Sequence, residues 1–289
     1  MTPMQKIAYR WFKNFVSKRV DDNLKRSLQS AGMGIRGDVY LSWIILLSII
    51  GLIVTGVIVV VLFLVLFPLL DIPFILTVLF ALLPFIVGGL ILVGGLELPN
   101  SRAKLRGRKI DVNLPYAINY VSAMSSAGVT PTEIFHSLSK QEIYGEIQKE
   151  AASIYKDVSI LGKDILSAIR EAVKLTPSEK FGEFLQGLIV TVTSGGSLKN
   201  YFVAKAKQYM TENRQQQRQM IENLGIMAES YVTAAVAGIL LMFIVIPVMM
   251  IISGDPGQLN FLYIIIFPIV PMIHAGFAYV IRSMTLGVI

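Results

Sequence analysis

The chain has 289 residues, 54% hydrophobic and only 16% charged, with a mean hydropathy of +0.64, which is too apolar and too charge-poor for an ordinary soluble domain. It has no cysteine and two histidines, which excludes a disulfide framework, a thiolate metal site and a cysteine nucleophile, and leaves few routes to zinc. The net charge of +7 would suit nucleic acid by its sum, but its placement follows membrane topology instead, so no nucleic acid is expected as a partner.

The first 40 residues read as a cytoplasmic amphipathic arm. Trp11, Phe15, Val20, Leu24 and Leu28 recur at near-helical spacing, interleaved with Lys13, Lys18, Arg19, Lys25 and Arg26. Such a helix can lie in the lipid interface or pack on a neighbouring domain, and the pattern fits both.

Residues 41–97 read as a transmembrane hairpin. From Ser42 to Phe67 no charge occurs, and at about 1.5 Å per residue this run outreaches the roughly 30 Å hydrocarbon core. It lies beyond residue 40 and has no convincing cleavage site, so it is expected to stay in the mature protein. After the turn-like stretch from Pro68 to Pro73, a second run from Phe74 to Leu96 carries Gly88, Gly89, Gly94 and Gly95, small residues that let a neighbouring helix approach closely.

The central segment, 98–230, shows the strongest local signals. Leu114, Ile118, Val121 and Met124 form a stripe, and Gly128 sits where a left-handed cap belongs. Thr130-Pro131-Thr132-Glu133 and Thr176-Pro177-Ser178-Glu179 both read as helix starts, with an N-cap hydroxyl, proline at the first helical position and glutamate at the third. Between them, one helix is marked by Ile143, Ile147, Ala151, Ile154, Val158 and Leu161 and ended by Gly162, and another by Ile165, Ile169 and Val173. Phe181, Phe184, Leu185 and Leu188 continue the stripe, and Ser194-Gly195-Gly196-Ser197 breaks it. From Leu198 a polar helix runs without a clear stop toward the third span. These elements predict an antiparallel bundle of about five or six short helices.

Residues 231–289 read as a second transmembrane hairpin, with apolar runs from Ala234 to Ile252 and Phe261 to Val280 joined by a Gly- and Pro-containing turn. The fold class is thus an all-α membrane protein, with about four transmembrane helices in two hairpins and a cytoplasmic helical bundle. Of the 26 Lys and Arg, eight precede Trp43, 17 lie between Arg102 and Arg218, and the last is Arg282. The two expected outside turns carry none and contain Asp71 and Asp255. Basic residues near span ends stay in the cytoplasm, so both termini and the central segment are expected there, in a multi-pass protein of the cell membrane.

Chemistry is sparse. Ser194-Gly195-Gly196-Ser197 and Gly162-Lys163-Asp164 both lack the spacing of a phosphate-cradling loop, so no nucleotide site is expected. His136 has no second histidine nearby and reads as packed or solvated. His274, inside the fourth span, reads as structural rather than as a proton relay. No catalytic, cofactor-binding or metal residue emerges, and an enzyme is not expected. Arg102, Lys104, Arg106, Arg108 and Lys109 place five positive charges in eight residues after the second span. Attraction to anionic headgroups and docking of an acidic partner both fit that cluster.

The order of arm, hairpin, helical domain and hairpin resembles the type II secretion system F family, the platform proteins of type IV pilus-like machines. Leu114 to Phe135, the helix entry at Gly162-Lys163-Asp164, Thr176 to Leu188 and Thr193 to Tyr201 look like its F domain. The arm ending at Leu24 to Met33 looks like the single-domain, TadC-like members and their archaeal relatives. The resemblance implies a platform that couples a cytoplasmic hexameric secretion ATPase to extraction of pilin-like subunits and filament assembly, in an archaeon or a bacterium. It also implies a homodimer or a pairing with a second F-domain subunit, because this sequence shows one F domain where many relatives have two. On that reading, Arg106, Arg108, Lys109, Lys199, Lys205 and Lys207 are ATPase-facing charges, and Gly88, Gly89, Gly94 and Gly95 are helix-packing positions in the membrane. No cofactor is implied, and membrane lipids are the remaining partner. The alternative is a membrane permease subunit driven by a separate ATPase, which would need a polar path across these dry spans. A membrane receptor or lipid-binding scaffold is the third reading.

Overall fold

The structure, a computed structural model, describes residues 3–16, 22–66, 74–254, 257 and 259–286. Among these residues every regular element is helical and none is a strand. Both hairpin turns expected from the sequence, at Pro68 to Pro73 and around Asp255, fall wholly or partly outside the described residues, as does Val20 of the arm. The chain divides into two compact units, 1–202 and 203–289.

In the first unit the arm forms two described helices, α1 (Pro3–Val16) and α2 (Asp22–Ser30). Among the described side chains of α1, Ala8 and Val16 are buried, whereas Trp11, expected on its apolar stripe, is 77% exposed. α1 packs against the first span, α3 (Gly37–Leu66). α2 closes on a glycine-capped turn. Gly32, at φ +69°, donates to Gln29 O and Met33 donates to Leu28 O, a paired arrangement that satisfies the last carbonyls and needs a left-handed residue. Leu28 is thereby seated against Tyr40 and Ile44 at the start of α3, with Leu24, Met33, Ile35 and Trp43 around them.

The second span does not end at the membrane. α4 runs unbroken from Phe74 to Ser126, 53 residues, through Pro84, Pro99 and Pro115, so the separate helix expected from Leu114 is the last part of α4. Proline lacks an amide and crowds the preceding turn, yet α4 passes through all three. The buried stripe of Ile110, Leu114, Ala117, Ile118 and Val121 keeps the helix going by packing it into the bundle. Its end is as expected: Gly128 sits at φ +83°, with Val129 donating to Met124 O.

The bundle continues with α5 (Pro131–Ser139), a 3₁₀ turn at Glu142–Tyr144, α6 (Glu146–Ser159), α7 (Ile165–Leu175) and α8 (Glu179–Thr193). α5 begins at Pro131 as expected, but Thr130 makes no side-chain cap bond. α6 is shorter than its pattern predicts, because Gly145 at φ +55° breaks the chain after the 3₁₀ turn; Ile143 and Leu161, at the ends of the expected stripe, are 80% and 58% exposed. The second capping box also shifts. Thr176 closes α7, and Ser178 caps α8 by accepting from the Phe181 amide. Phe181, Phe184, Leu185 and Leu188 are buried as expected, and Phe184 stacks on Tyr201 and packs beside Phe202.

The boundary between the units falls inside α9 (Leu198–Tyr231). α9 passes through a π-helical segment, Val232–Ala237, into α10 (Gly238–Ser253) without a break, as the missing stop signal predicted. The second unit is completed by α11 (Leu259–Ile264), a π segment at Ile265–Ile269 and α12 (Val270–Leu286). His274 donates from Nδ1 to Val270 O at 2.8 Å and meets the Tyr231 ring edge-on, which occupies it structurally. Four helices are long and apolar enough to cross a membrane, within 37–64, 79–126, 198–253 and 260–283. Side chains such as Ile53, Leu64, Phe85, Leu241 and Ile251 are more than half exposed, as a lipid-facing surface requires.

Candidate coupling site where the arm, the long helix and the bundle meet

Arg106 lies on α4, ten residues beyond Leu96, the last residue of the apolar run. Its guanidinium makes three different bonds. Nε donates to Glu146 Oε2 at 2.8 Å, one terminal nitrogen donates to Ser30 O at 2.9 Å, and the other lies 2.6 Å from Glu150 Oε1. A planar fork of donors suits such divergent acceptors better than an ammonium. Ser30, the last residue of α2, donates its hydroxyl to Leu175 O at the end of α7. At the next residue of α4, Gly107 lies so close to the α7–α8 turn that a Cβ there would meet Pro177 O at 2.6 Å. Ser178 donates to Asp111 of α4 while accepting from Phe181. The arm, α4, α6, α7 and α8 are thus pinned within two turns of α4.

The two carboxylates that share Arg106 titrate in opposite directions. Glu150 is raised above its ordinary value by burial, which Arg106 opposes without cancelling. At Glu146 burial again raises the value, but bonds from Lys149 and Arg106 outweigh it and hold the carboxyl low. Sequence reasoning did not single out either glutamate. The available signal was Glu150 itself, a carboxylate lying between Ile147 and Ile154 on the apolar stripe of α6, where a charge needs a partner.

The other residues singled out from the sequence are dispersed. Arg108, Lys109, Lys199 and Lys207 are exposed and Lys205 is half-buried, while Arg106 turns inward to the carboxylates. Gly88 and Gly95 face α3: Ser48 donates to Gly88 O and Tyr40 to Gly95 O, both at 2.8 Å, and a Cβ on Gly95 would press on Ile44. Gly89 and Gly94 point into open space. Lys163 is held between Asp157 and Glu171, and His136 stacks on Tyr155 while contacting Glu133. Among the described residues no cluster of three potential metal ligands occurs.

Residues 117–246 match the family model described as type II secretion system protein F. That stretch, under half of the chain, is similar to the family's F domain. An uncharacterized protein of Methanocaldococcus jannaschii is 32% identical over 201 residues, covering 66% of this chain and 33% of the relative. Flagella accessory protein J of the same organism is 26% identical over 54% of this chain and 27% of its own length, and its namesake in Methanococcus voltae 25% identical over 50% and 26%. The matched region thus spans about a third or less of these relatives. No solved structure matches. The family match and the four apolar helices support a multi-pass membrane protein.

Proposed function

We propose that this chain is the non-enzymatic membrane platform that couples a cytoplasmic hexameric secretion ATPase to extraction of pilin-like subunits and their assembly into a filament. The observation that carries the reading is α4: one helix both crosses the membrane and supplies the central stripe of the bundle. A packed helix transmits displacement along its axis, because its hydrogen-bond ladder resists compression while its flanking contacts slide. A step imposed on the bundle therefore reaches the bilayer through α4, with the α9–α10 run as a second such connection. Both termini and the bundle lie in the cytoplasm on this reading, supported by the concentration of Lys and Arg in the arm and the central segment. Arg108, Lys109, Lys199, Lys205 and Lys207 supply charge toward the ATPase, and Arg106 acts through the arm. A homodimer, or a pair with another F-domain subunit, completes the platform.

The test is a mild-detergent pull-down from native membranes with mass spectrometry of the bound proteins. Recovery of a secretion ATPase and pilin-like subunits, with ATPase recovery reduced when those five basic residues are changed to Gln, supports the proposal. Recovery of a transporter-type ATPase or a solute-binding protein replaces it with the permease.

A further inference from the structure

A cleft of about 340 Å³ opens beside the Arg106 node, between the turn that ends α2, the polar part of α4 and the first turns of α6. It is lined by Ala31, Gly32 and Leu105 and by four cations, Arg102, Arg106, Lys109 and Lys149, with Glu146 the lone carboxylate among the lining residues. Two of the cations are already matched: Arg106 by the buried Glu150 beneath, and Lys149 by Glu146. Arg102 and Lys109 have no ion pair among the described residues, which leaves about two uncompensated positive charges facing one concave space.

The position of the cleft narrows its ligand. Arg102 follows Leu98 by four residues of continuous helix, about 6 Å along the axis, which puts it at the depth of the lipid headgroups. Lys109 lies on the same face two turns further out. Because side chains on a helix lean toward its N-terminus, and the N-terminus of α4 is its membrane end, Lys109 leans back toward Arg102 and the bilayer. Two cations at different depths closing on one space suit a single phosphate group rather than a planar carboxylate pair or an apolar chain.

We propose that this cleft is a phosphate-binding site whose ligand is the headgroup of an anionic phospholipid, seated between Arg102 and Lys109 and touching the turn that ends the arm. Phosphate borne by a lipid and free phosphate share the recognition chemistry, and the depth of Arg102 favours the lipid. An occupied site ties the arm to the surface of the bilayer through the same turn that Arg106 holds. The site shares Lys109 with the charges assigned to the ATPase, but Arg102 is not among them, and the binding readout needs no ATPase, so the two readings fail separately.

The experiment is native mass spectrometry of the delipidated full chain in detergent, titrated separately with phosphatidylglycerol, with phosphatidylcholine and with inorganic phosphate. The expected result is one tightly bound phosphatidylglycerol, no comparable phosphatidylcholine, and about a thirtyfold loss of affinity in the Arg102→Gln/Lys109→Gln variant, with Arg102→Gln alone intermediate. Lys140→Gln, an exposed basic change outside the cleft, leaves binding unchanged. Both altered side chains are exposed, and an unchanged unfolding temperature checks that the variants fold. Tight binding of inorganic phosphate, lost in the same double variant, keeps the phosphate site but overturns the lipid assignment. Equal phosphatidylglycerol binding by the double variant and the parent overturns the site altogether.

Discussion

At the scale of single residues, Arg106 is the most consequential side chain in the described structure, because it compensates a carboxylate that has nowhere else to go. Glu150 is 6% exposed, and removing one partner of a buried pair strands the other. Arg106→Met is therefore expected to destabilise the chain by about 3 kcal/mol, whereas Arg106→Met combined with Glu150→Met restores most of that loss. Thermal unfolding in detergent measures both, and equal destabilisation by the single and double variants would remove the pair from the account. The opposed shifts of the two glutamates also have a pH signature. A group whose folded value is raised stabilises fully below its ordinary value and loses that contribution as pH rises through the folded value. For Glu150 the contribution therefore appears as pH falls from neutrality toward 4.5. Glu146 behaves oppositely, stabilising above 4.5 and losing its contribution as pH falls through its lowered value. Relative to Glu150→Gln, the parent chain should gain unfolding temperature on acidification toward 4.5, and a difference independent of pH would show that Glu150 is not titrating as described.

At the scale of elements, the α3–α4 hairpin is fastened by backbone carbonyls that only a close approach makes reachable. Ser48 and Tyr40 each bridge to a glycine carbonyl, and in a bilayer, where apolar side chains gain little by leaving lipid, such packing and hydrogen bonds carry the association. The seam can be tested directly because the chain has no cysteine of its own. A Cβ on Gly88 would lie 3.4 Å from Leu52 Cβ, close to the spacing a disulfide spans. Leu52→Cys with Gly88→Cys is expected to form an intrachain disulfide on oxidation, seen as a mobility shift reversed by reductant. Failure of that pair, with both thiols reactive toward a maleimide, would mean that the two spans pack in another register.

For the whole molecule, half of the glycine face is used within the chain and half is not. Gly88 and Gly95 meet α3, while Gly89 and Gly94 meet nothing in the described structure, so the proposed contact with another helix falls to the second pair. Oxidation of single Gly89→Cys or Gly94→Cys variants in native membranes is expected to give a cross-linked dimer through at least one of the two positions. Its absence at both, with the thiols accessible, would place the partner of this F domain elsewhere. The size of the relatives bears on the same question. The matched region spans about a third or less of those named above.

The sequence by itself determined the class, the four candidate spans and the family resemblance, because each rests on signals that are local or simply periodic: uncharged runs long enough to cross a bilayer, left-handed glycines at Gly128 and Gly162, and capping chemistry recurring in a fixed order. Its errors were also local. The separate helix expected from Leu114 is the end of α4, which the burial of Ile110, Leu114 and Ile118 carries on into the bundle, and Thr176 looked like a cap until Ser178 took that role beside Asp111. Only the tertiary structure decided that Arg106 turns inward, that Glu150 waits for it from 44 residues away, and that Arg102 and Lys109 share a cleft with the end of the arm. A basic cluster read along the chain has no inside or outside. Which of its charges are compensated depends on acceptors supplied by distant helices, and that pairing exists only once α2, α4 and α6 are packed together.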